Sequence, residues 1–145
     1  MGFITHRRDN FSISTDPEQL DFDVVHQFLS EDSYWAVGRP RTIMETAIEN
    51  SLCFGVYEGE QQVGFARVVT DSVTFAWLCD LFILDSHRGH GLGKWLVESI
   101  VAHPDLQNLK LFLLATADAH ELYRQYGGFF PLQETQKWML RRNSG

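Results

Sequence analysis

The stretch from Val73 to Ala102 constrains the fold of this 145-residue chain more than any other part of the sequence. It begins with the apolar run VTFAWLCDLFIL, whose β-branched and aromatic residues are typical of a buried strand. A polar, glycine-rich turn follows at residues 85–93. Apolar residues then recur at helical spacing, at Leu92, Trp95, Leu96 and Ile100. The pattern predicts strand, turn and helix, which suits phosphate binding because the first N–H groups of a helix lack intrahelical partners.

Three phosphate-binding patterns can be tested on this turn. The P-loop pattern fails because Arg88 stands at its first glycine and Trp95 at its Ser/Thr. The dinucleotide pattern G-x-G-x-x-G fails because Lys94 stands at its third glycine. The pattern [QR]-x-x-G-x-[GA] fits as Arg88-x-x-Gly91-x-Gly93, just after the strand. This arrangement resembles the coenzyme A pyrophosphate loop of the GNAT-type N-acetyltransferase superfamily. The alternative is a glycine-rich turn without a ligand.

Composition narrows the partners of the chain. The formal net charge of −7 argues against nucleic acid as the main partner, because duplex binding needs a positive face. An acidic surface would instead attract a cationic amine. An anionic cofactor would need a local basic site, and four such residues cluster at the turn: His87, Arg88, His90 and Lys94.

Cysteine usage and hydropathy indicate a cytoplasmic protein, and the length of 145 residues predicts one domain, residues 1–145. Cys53 and Cys79 both fall in predicted strands and lack a metal-binding or C-x-x-C spacing. The six histidines show no metal-ligand spacing either, so no metal is expected. No signal peptide or membrane-length apolar run is evident in the sequence.

Periodicity and turn residues predict an α/β (α+β) fold, a mixed, mostly antiparallel sheet of about seven strands with helices on both faces. Residues 1–10 read as an irregular lead-in. The order β-α-α-β-β-β-α-β-α-β-β coincides with the GNAT order along almost the whole chain, and the segment from Leu122 to Phe129 resembles the YxxxGF block of that family with one extra glycine. The predicted strands are 11–14, 52–57, 62–70, 73–84, 109–115, 129–132 and 137–141, and the helices include 17–30 and one beginning near 118.

The resemblance implies a binding site for acetyl-CoA. In the family, the strands equivalent to 73–84 and 109–115 splay apart, and the pantetheine arm pairs with the first of them, here at Leu81-Phe82-Ile83. Asp118 stands roughly where relatives have an Asn that contacts this arm, although a plain helix cap is the alternative. The pyrophosphate would lie on the loop formed by Arg88, Gly89, His90, Gly91, Leu92, Gly93 and Lys94.

Two residues are candidates for catalysis. The resemblance places Tyr123 near the thioester sulfur, where its phenol could act as the general acid; the alternative is a tyrosine packed in the core. Asp80 is a carboxylate inside an apolar strand, where burial is unfavourable without a partner or a role. It is the candidate general base, and the alternative is an Asp at a strand bulge.

The segment around residues 32–41 has no clear period and carries two adjacent aromatic residues and two arginines. Tyr34, Trp35 and Arg39, with Arg41, would line a pocket for an aromatic or carboxylate-bearing amine; the alternative is that the aromatics plug the core. The expected function is acetyl-CoA-dependent N-acetylation of a primary amine on a small molecule or peptide, without a membrane partner. A catalytically silent coenzyme A-binding or sensor module is the alternative. The family makes a homodimer the expected assembly.

Overall fold

A computed structural model describes residues 2–143 of the chain as a mixed sheet flanked by helices. Four helices have the bounds α1 Phe22–Gln27, α2 Arg41–Glu49, α3 Leu92–Val101 and α4 His120–Gly127. Six strands have the bounds β1 Thr5–Arg8, β2 Phe11–Ser14, β3 Leu52–Glu58, β4 Gln61–Thr70, β5 Phe75–Ile83 and β6 Leu111–Leu114.

The six strands form one sheet in the order β1-β2-β3-β4-β5-β6. The first four pairings are antiparallel, and β5 pairs with β6 in parallel because α3 connects them as a crossover. The parallel register runs from Phe75↔Leu111 to Leu78↔Leu114 and then stops, although β5 continues to Ile83. The two strands therefore splay apart after Leu78, as the resemblance implied.

Helices cover both faces of the sheet, and each face has its own apolar core. The helices α3 and α4 pack on one face, where Trp95, Leu96 and Ile100 join sheet residues such as Val68. The helices α1 and α2 pack on the other face against Phe65 and Phe82. The predicted mixed sheet with helices on both faces is confirmed, but the predicted number of about seven strands is wrong.

The N-terminal part of the chain differs from the prediction in two ways. Residues 5–8, expected to be irregular, form the edge strand β1, whose four residues are all exposed. Their polar sequence carries no burial pattern, so periodicity could not identify the strand. The expected helix 17–30 is divided into a 3-10 turn, Pro17–Gln19, capped by Asp16, and α1, capped by Asp21. A π-helical turn, Phe28–Asp32, extends α1.

The C-terminal part also differs from the prediction. The expected closing strands 129–132 and 137–141 are absent from the described residues, and residues 130–143 are all exposed. Local apolar character predicted strands there, but strands also need a partner edge, and this segment pairs with none within residues 2–143. None of the helices in that range combines the length and apolar character needed to span a membrane.

Candidate active site

A cavity of about 600 Å³ lies where β5 and β6 diverge. Its walls come from the loop after α1, from β4 and β5, and from the end of β6 with the start of α4. The splay creates this space because two strands that stop pairing leave their facing edges apart. Seven residues singled out from the sequence line it: Tyr34, Trp35, Arg39, Asp80, Leu81, Asp118 and Tyr123.

A β-bulge at Asp80 shapes the floor of the cavity. The β4–β5 register passes from Arg67↔Cys79 to Phe65↔Phe82, so two β5 residues stand opposite one β4 residue. Asp80 has φ +56°, an uncommon conformation for a residue with a side chain. Neither Asp80 nor Leu81 has a β4 partner in this register, and β6 has already diverged. The bulge therefore exposes main-chain groups of β5 to the cavity.

The carboxylate of Asp80 is held by three side chains. It accepts hydrogen bonds from Trp35 Nε1 at 2.9 Å, from Arg39 at 2.8 Å and from Arg67 Nε at 2.9 Å. Burial alone would raise the pKa of Asp80, but the hydrogen bonds from the two guanidinium groups outweigh it and the pKa lies below its usual value. The side chain is therefore ionised at neutral pH, and it stands at a strand bulge, which was the alternative to the general-base interpretation of the sequence.

The loop between α1 and α2 brings Trp35 and Arg39 to Asp80. It is anchored by Ser33, whose hydroxyl donates to the Leu29 carbonyl at 2.7 Å and accepts from the Ala36 N–H at 3.0 Å. The side chains of Tyr34 and Trp35 stay partly exposed, so they do not simply fill the core beneath the loop. Arg41 lies outside the cavity, where it pairs with Asp23 and Glu45 on the surface, so its expected place in the acceptor pocket is wrong.

Tyr123 projects from α4 into the cavity. Its side chain is largely buried, and burial raises the pKa of the phenol to about 12. Among the described residues its hydroxyl has no hydrogen-bond partner.

The two glycines at the end of α4 have separate roles. A Cβ on Gly127 would approach Phe129 to 2.8 Å, whereas Gly128 adopts the left-handed conformation that ends the helix.

The glycine-rich turn lies at the end of β5, outside the lining of the cavity. Gly89 and Gly91 have φ of +86° and +74°, which requires glycine in practice. The first intrahelical bond of α3 joins Trp95 N–H to the Gly91 carbonyl, so the preceding N–H groups of the helix have no helical acceptor. A Cβ added to Gly89 or Gly91 would meet nothing within 4 Å. The turn thus presents open backbone donors.

The basic side chains of the turn have different surroundings. Arg88 is exposed, and it bonds the Ile83 carbonyl at 3.3 Å and pairs with Asp85. His87 lies against Glu58 at 2.9 Å, and Lys94 lies 5.4 Å from the ring centre of Tyr126. His90 is exposed beside Phe11.

Three sequence-predicted residues have surroundings that the sequence did not indicate. Phe82 and Ile83 direct their side chains into the two cores, so only their main chain could contact a cofactor. Asp118 does not cap α4, because the N-cap residue is Ala119 and no side chain accepts a capping hydrogen bond. In the turn before the helix, the Thr116 hydroxyl oxygen accepts from the Asp118 and Ala119 N–H groups. The carboxylate of Asp118 is left exposed at the cavity.

Sequence reasoning missed Arg67 and did not place Cys79 at the site, and both line the cavity. The signal for Arg67 was present, since an arginine in the apolar run VGFARVV needs a partner as much as Asp80 does. Two lone opposite charges on neighbouring strands of a hairpin indicate a pair, and Arg67 Nε lies 2.9 Å from Asp80.

One known protein family matches the part of the chain that carries most of the cavity lining, the bulge and the glycine turn. Residues 49–127 match the family described as "Acetyltransferase (GNAT) domain". This range contains the hairpin, the bulged strand, the glycine turn, the splayed strands and Tyr123. The chain therefore belongs to the GNAT family of acetyltransferases.

Individual relatives agree with this assignment. A Gibberella zeae protein named "Putative acetyltransferase FG08082" is 33% identical over 138 residues, covering 80% of this chain and 77% of the relative. The crystal structure of "a putative acetyltransferase belonging to the gnat family" from Xanthomonas campestris has a TM-score of 0.88 and 47% identity, covering 92% of this chain and 93% of that one.

A GNAT family acetyltransferase from Elizabethkingia anophelis, solved with acetyl-CoA bound, shares the fold at a TM-score of 0.59. Its identity to this chain is 13%, over 83% of this chain and 76% of that chain.

Proposed function

We propose that the protein transfers an acetyl group from acetyl-CoA directly to the primary amine of a small molecule or peptide. The observation that carries this proposal is the meeting of three features at one cavity: the splay of β5 from β6, the bulge at Asp80, and the hydroxyl of Tyr123. A domain with a purely structural role would not require an unpaired edge of β5 beside the largely buried phenol of Tyr123.

The residues present fit acetyl-CoA. The pyrophosphate would accept hydrogen bonds from the open N–H groups of residues 89–94, which also lie at the positive end of the α3 dipole. The pantetheine arm would pair with the free main-chain edge at Leu81, Phe82 and Ile83 as an added strand. Asp118 stands at the cavity beside that path. Acetyl-CoA binding by the Elizabethkingia protein, which shares this fold, supports the assignment.

When bound, acetyl-CoA would supply a thioester: the C–N bond to the amine would form at its carbonyl carbon, the C–S bond would then break, and the thiolate would leave with a proton taken up from Tyr123 or from solvent. Main-chain N–H groups at the bulge are donors for the oxygen that becomes negative, an interaction typically worth about 3–4 kcal/mol. Tyr123 stays protonated across the neutral range because burial raises its pKa to about 12. Its hydroxyl can therefore donate to the leaving sulfur. The raised pKa also makes the phenol a weak acid, so hydrogen-bond donation is the larger part of its role.

Asp80 is better suited to positioning than to proton abstraction. A general base should have a pKa near the working pH, whereas the pKa of Asp80 is lowered by its two arginine partners. Its three hydrogen bonds instead fix the side chains of Trp35 and Arg39 at the acceptor side of the cavity. The amine would then enter as its free base, and its proton would leave to solvent through the cavity mouth.

Direct transfer is supported by the state of the cysteine at the site. Burial raises the pKa of the Cys79 thiol to about 11, so little thiolate is present at neutral pH. The thiolate is the reactive nucleophile, and an acyl-enzyme on Cys79 is therefore disfavoured.

The acceptor class follows from Arg39 and Arg67. Two guanidinium groups share the Asp80 carboxylate, which leaves a local excess of positive charge and of N–H donors on this wall, while Asp118 on the opposite wall balances the charge of the whole lining. Arg39 retains 22% side-chain exposure, so part of its fork remains accessible. A carboxylate on the acceptor would pair with it, while Tyr34 and Trp35 offer aromatic surface. The proposed acceptor is an amine that carries a carboxylate or an aromatic group.

A thermal melt with and without acetyl-CoA tests the cofactor site. Ligand at about one hundred times its dissociation constant adds roughly 2.7 kcal/mol to stability. We expect a Tm rise of roughly 5–10 °C in the wild type. The rise should be lost in Arg88→Glu and kept in Arg7→Glu, which makes the same charge change on the exposed strand β1. No rise at millimolar acetyl-CoA would refute the proposal.

An acceptor screen tests the chemistry, with release of free thiol as the readout. We expect turnover with amino acids and other carboxylate-bearing amines, and Arg39→Gln should raise their KM. A screen that finds only polyamines would refute the acceptor class. Binding of acetyl-CoA without turnover of any amine, and without an effect of Tyr123→Phe, would favour a coenzyme A-binding module.

A further inference from the structure

Both ring nitrogens of His87, just before the glycines of the turn, have partners within the protein. Nε2 lies 2.9 Å from a carboxylate oxygen of Glu58, and Nδ1 lies 2.7 Å from the Ser86 hydroxyl. The His87 side chain is only 15% exposed, whereas Ser86 and Arg88 on either side of it are exposed. The sequence grouped His87 with the basic residues of an anion site, but a ring with both nitrogens engaged has no donor left for a phosphate.

The contact between His87 and Glu58 does not depend on the protonation state of the ring. The hydrogen bond from His87 lowers the pKa of Glu58, which keeps the carboxylate ionised at neutral pH. An ionised carboxylate only accepts hydrogen bonds, so Nε2 carries a proton. Nδ1 accepts from the Ser86 hydroxyl in the neutral ring and donates to its oxygen in the imidazolium, because a hydroxyl can do either.

Glu58 is held by the sheet and not by the glycine turn. It is the last residue of β3, and its second carboxylate oxygen accepts from the Asn10 side chain at 3.3 Å. The next residue, Gly59, donates its N–H to the Asn10 carbonyl at 3.1 Å, which joins the β3–β4 turn to the β1–β2 turn. The Glu58 carboxylate is therefore a fixed point, and His87 connects the glycine turn to it.

The glycine turn benefits from such a connection because its own residues restrict it weakly. Gly89 and Gly91 have positive φ, and open space surrounds the place of a Cβ at both positions. Glycine loses more conformational freedom on ordering than any other residue. A turn that is already ordered binds its ligand more tightly, because less entropy is lost on binding.

We propose that His87 is a positioning residue for acetyl-CoA, and that its hydrogen bond to Glu58 fixes the glycine turn in the conformation that accepts the pyrophosphate. This role rests on the proposed function, which supplies the ligand of the turn. Glu58 then favours the binding of an anion although it is itself negative, because it acts through His87 and not on the phosphate. The sign of the Glu58 effect therefore distinguishes positioning from direct electrostatics.

Isothermal titration calorimetry with acetyl-CoA measures the effect on binding. We expect His87→Ala and Glu58→Ala each to raise the dissociation constant about 3- to 10-fold, as for the loss of one hydrogen bond. The double variant should bind no more weakly than either single variant, because both changes remove the same contact. His87→Gln, whose amide nitrogen can donate to Glu58 in place of Nε2, should stay within about 2-fold of the wild type.

Glu60 provides a matched control, because it is exposed in the β3–β4 turn two residues after Glu58. Glu60→Ala removes the same charge but keeps the hydrogen bond to His87, so the dissociation constant should stay unchanged or fall. Steady-state kinetics gives a second readout. His87→Ala should raise the KM for acetyl-CoA and leave kcat within about 2-fold, since Tyr123 and the bulge lie on other elements.

Three results would overturn the role of His87 while leaving the cofactor site in place. They are tighter or unchanged binding in Glu58→Ala, losses that multiply in the double variant, and failure of His87→Gln to restore binding. Thermal melts without ligand check that each variant is folded. A wild type that does not bind acetyl-CoA would instead refute the proposed function, and the role of His87 with it.

Discussion

The hydroxyl of Tyr34 accepts a hydrogen bond from the backbone N–H of Ala117 at 2.9 Å, across 83 residues of sequence. This contact joins the α1–α2 loop to the segment between β6 and α4. It spans two walls of the cavity, because both residues line it. The relative position of these walls therefore depends partly on one exposed hydrogen bond.

Removal of that hydroxyl should loosen the acceptor side of the site. In Tyr34→Phe, the lost bond contributes about 0.5–1.5 kcal/mol, which corresponds to an increase in acceptor KM of about 2- to 10-fold. The KM for acetyl-CoA should stay near the wild-type value, because the glycine turn is on a different element. Steady-state kinetics with each substrate varied in turn would check this, and equal changes in both KM values would contradict it.

Tyr123→Phe should give a folded but slow enzyme. The substitution removes only the hydroxyl that faces the cavity, so kcat should fall by about 100- to 10,000-fold. The thermal shift with acetyl-CoA should persist, since binding rests on the main chain of β5 and the turn. Tyr126→Phe, one turn further along α4, is the matched control and should keep most of the activity. Unchanged turnover in Tyr123→Phe would remove this residue from the mechanism.

Asp80 should contribute to stability as well as to the site. Asp80→Asn leaves Arg39 and Arg67 against a neutral amide, and breaking a buried pair of this kind lowers the free energy of unfolding by about 3 kcal/mol. The same change at Asp23, an exposed partner of Arg41, should alter it by less than about 1 kcal/mol.

The difference in free energy of unfolding between the wild type and Asp80→Asn should depend on pH with a definite sign. The pKa of Asp80 is lower in the folded than in the unfolded chain, so its contribution is present above the unfolded pKa of about 3.9 and is lost as pH falls through the folded pKa. Urea titrations of wild type and Asp80→Asn should therefore differ by a constant amount near neutral pH and converge in acid. A gap that widens in acid would contradict the ion-pair assignment.

Tyr57→Phe should stabilise the protein. The Tyr57 hydroxyl is buried without a hydrogen-bond partner, and it lies over Gly55, where an added Cβ would be 2.2 Å from the oxygen. An unsatisfied buried hydroxyl is unfavourable, so its removal should raise the free energy of unfolding by about 1 kcal/mol. A rise in Tm of about 3 °C is expected. Calorimetry would check it, and a lower Tm would indicate a partner such as a bound water.

The parts of the site that sequence could predict are those encoded locally. The glycine turn is one continuous motif, in which Gly91 must adopt a positive φ and Leu92 begins an amphipathic helix, so spacing alone identified it. Asp80 was also identifiable, because a charge in an apolar strand needs a physical reason. Its hydrogen-bond partners could not be identified, because Trp35 and Arg39 come from a loop more than 40 residues earlier, whose sequence has no helical or strand periodicity.

The errors in the fold arose where the environment outweighs local preference. The edge strand β1 is polar because its side chains face solvent, so no alternation marks it. The segment 137–141 has the composition of a strand, but a strand also requires a free edge, and none is used within the described chain. In both cases the missing information concerns what lies beside the strand.

The bulge at Asp80 also changes which face of the sheet each residue of β5 serves. Ala76 and Leu78 belong to the core beneath α3 and α4, but Phe82, an even number of residues later, belongs to the core beneath α1 and α2. One extra residue thus reverses the phase of the strand halfway along its length. The fold therefore constrains the length of this segment more strictly than its composition: substitutions at position 80 leave both cores in place, whereas deletion of that one residue would move the side chains of half the strand to the opposite face of the sheet.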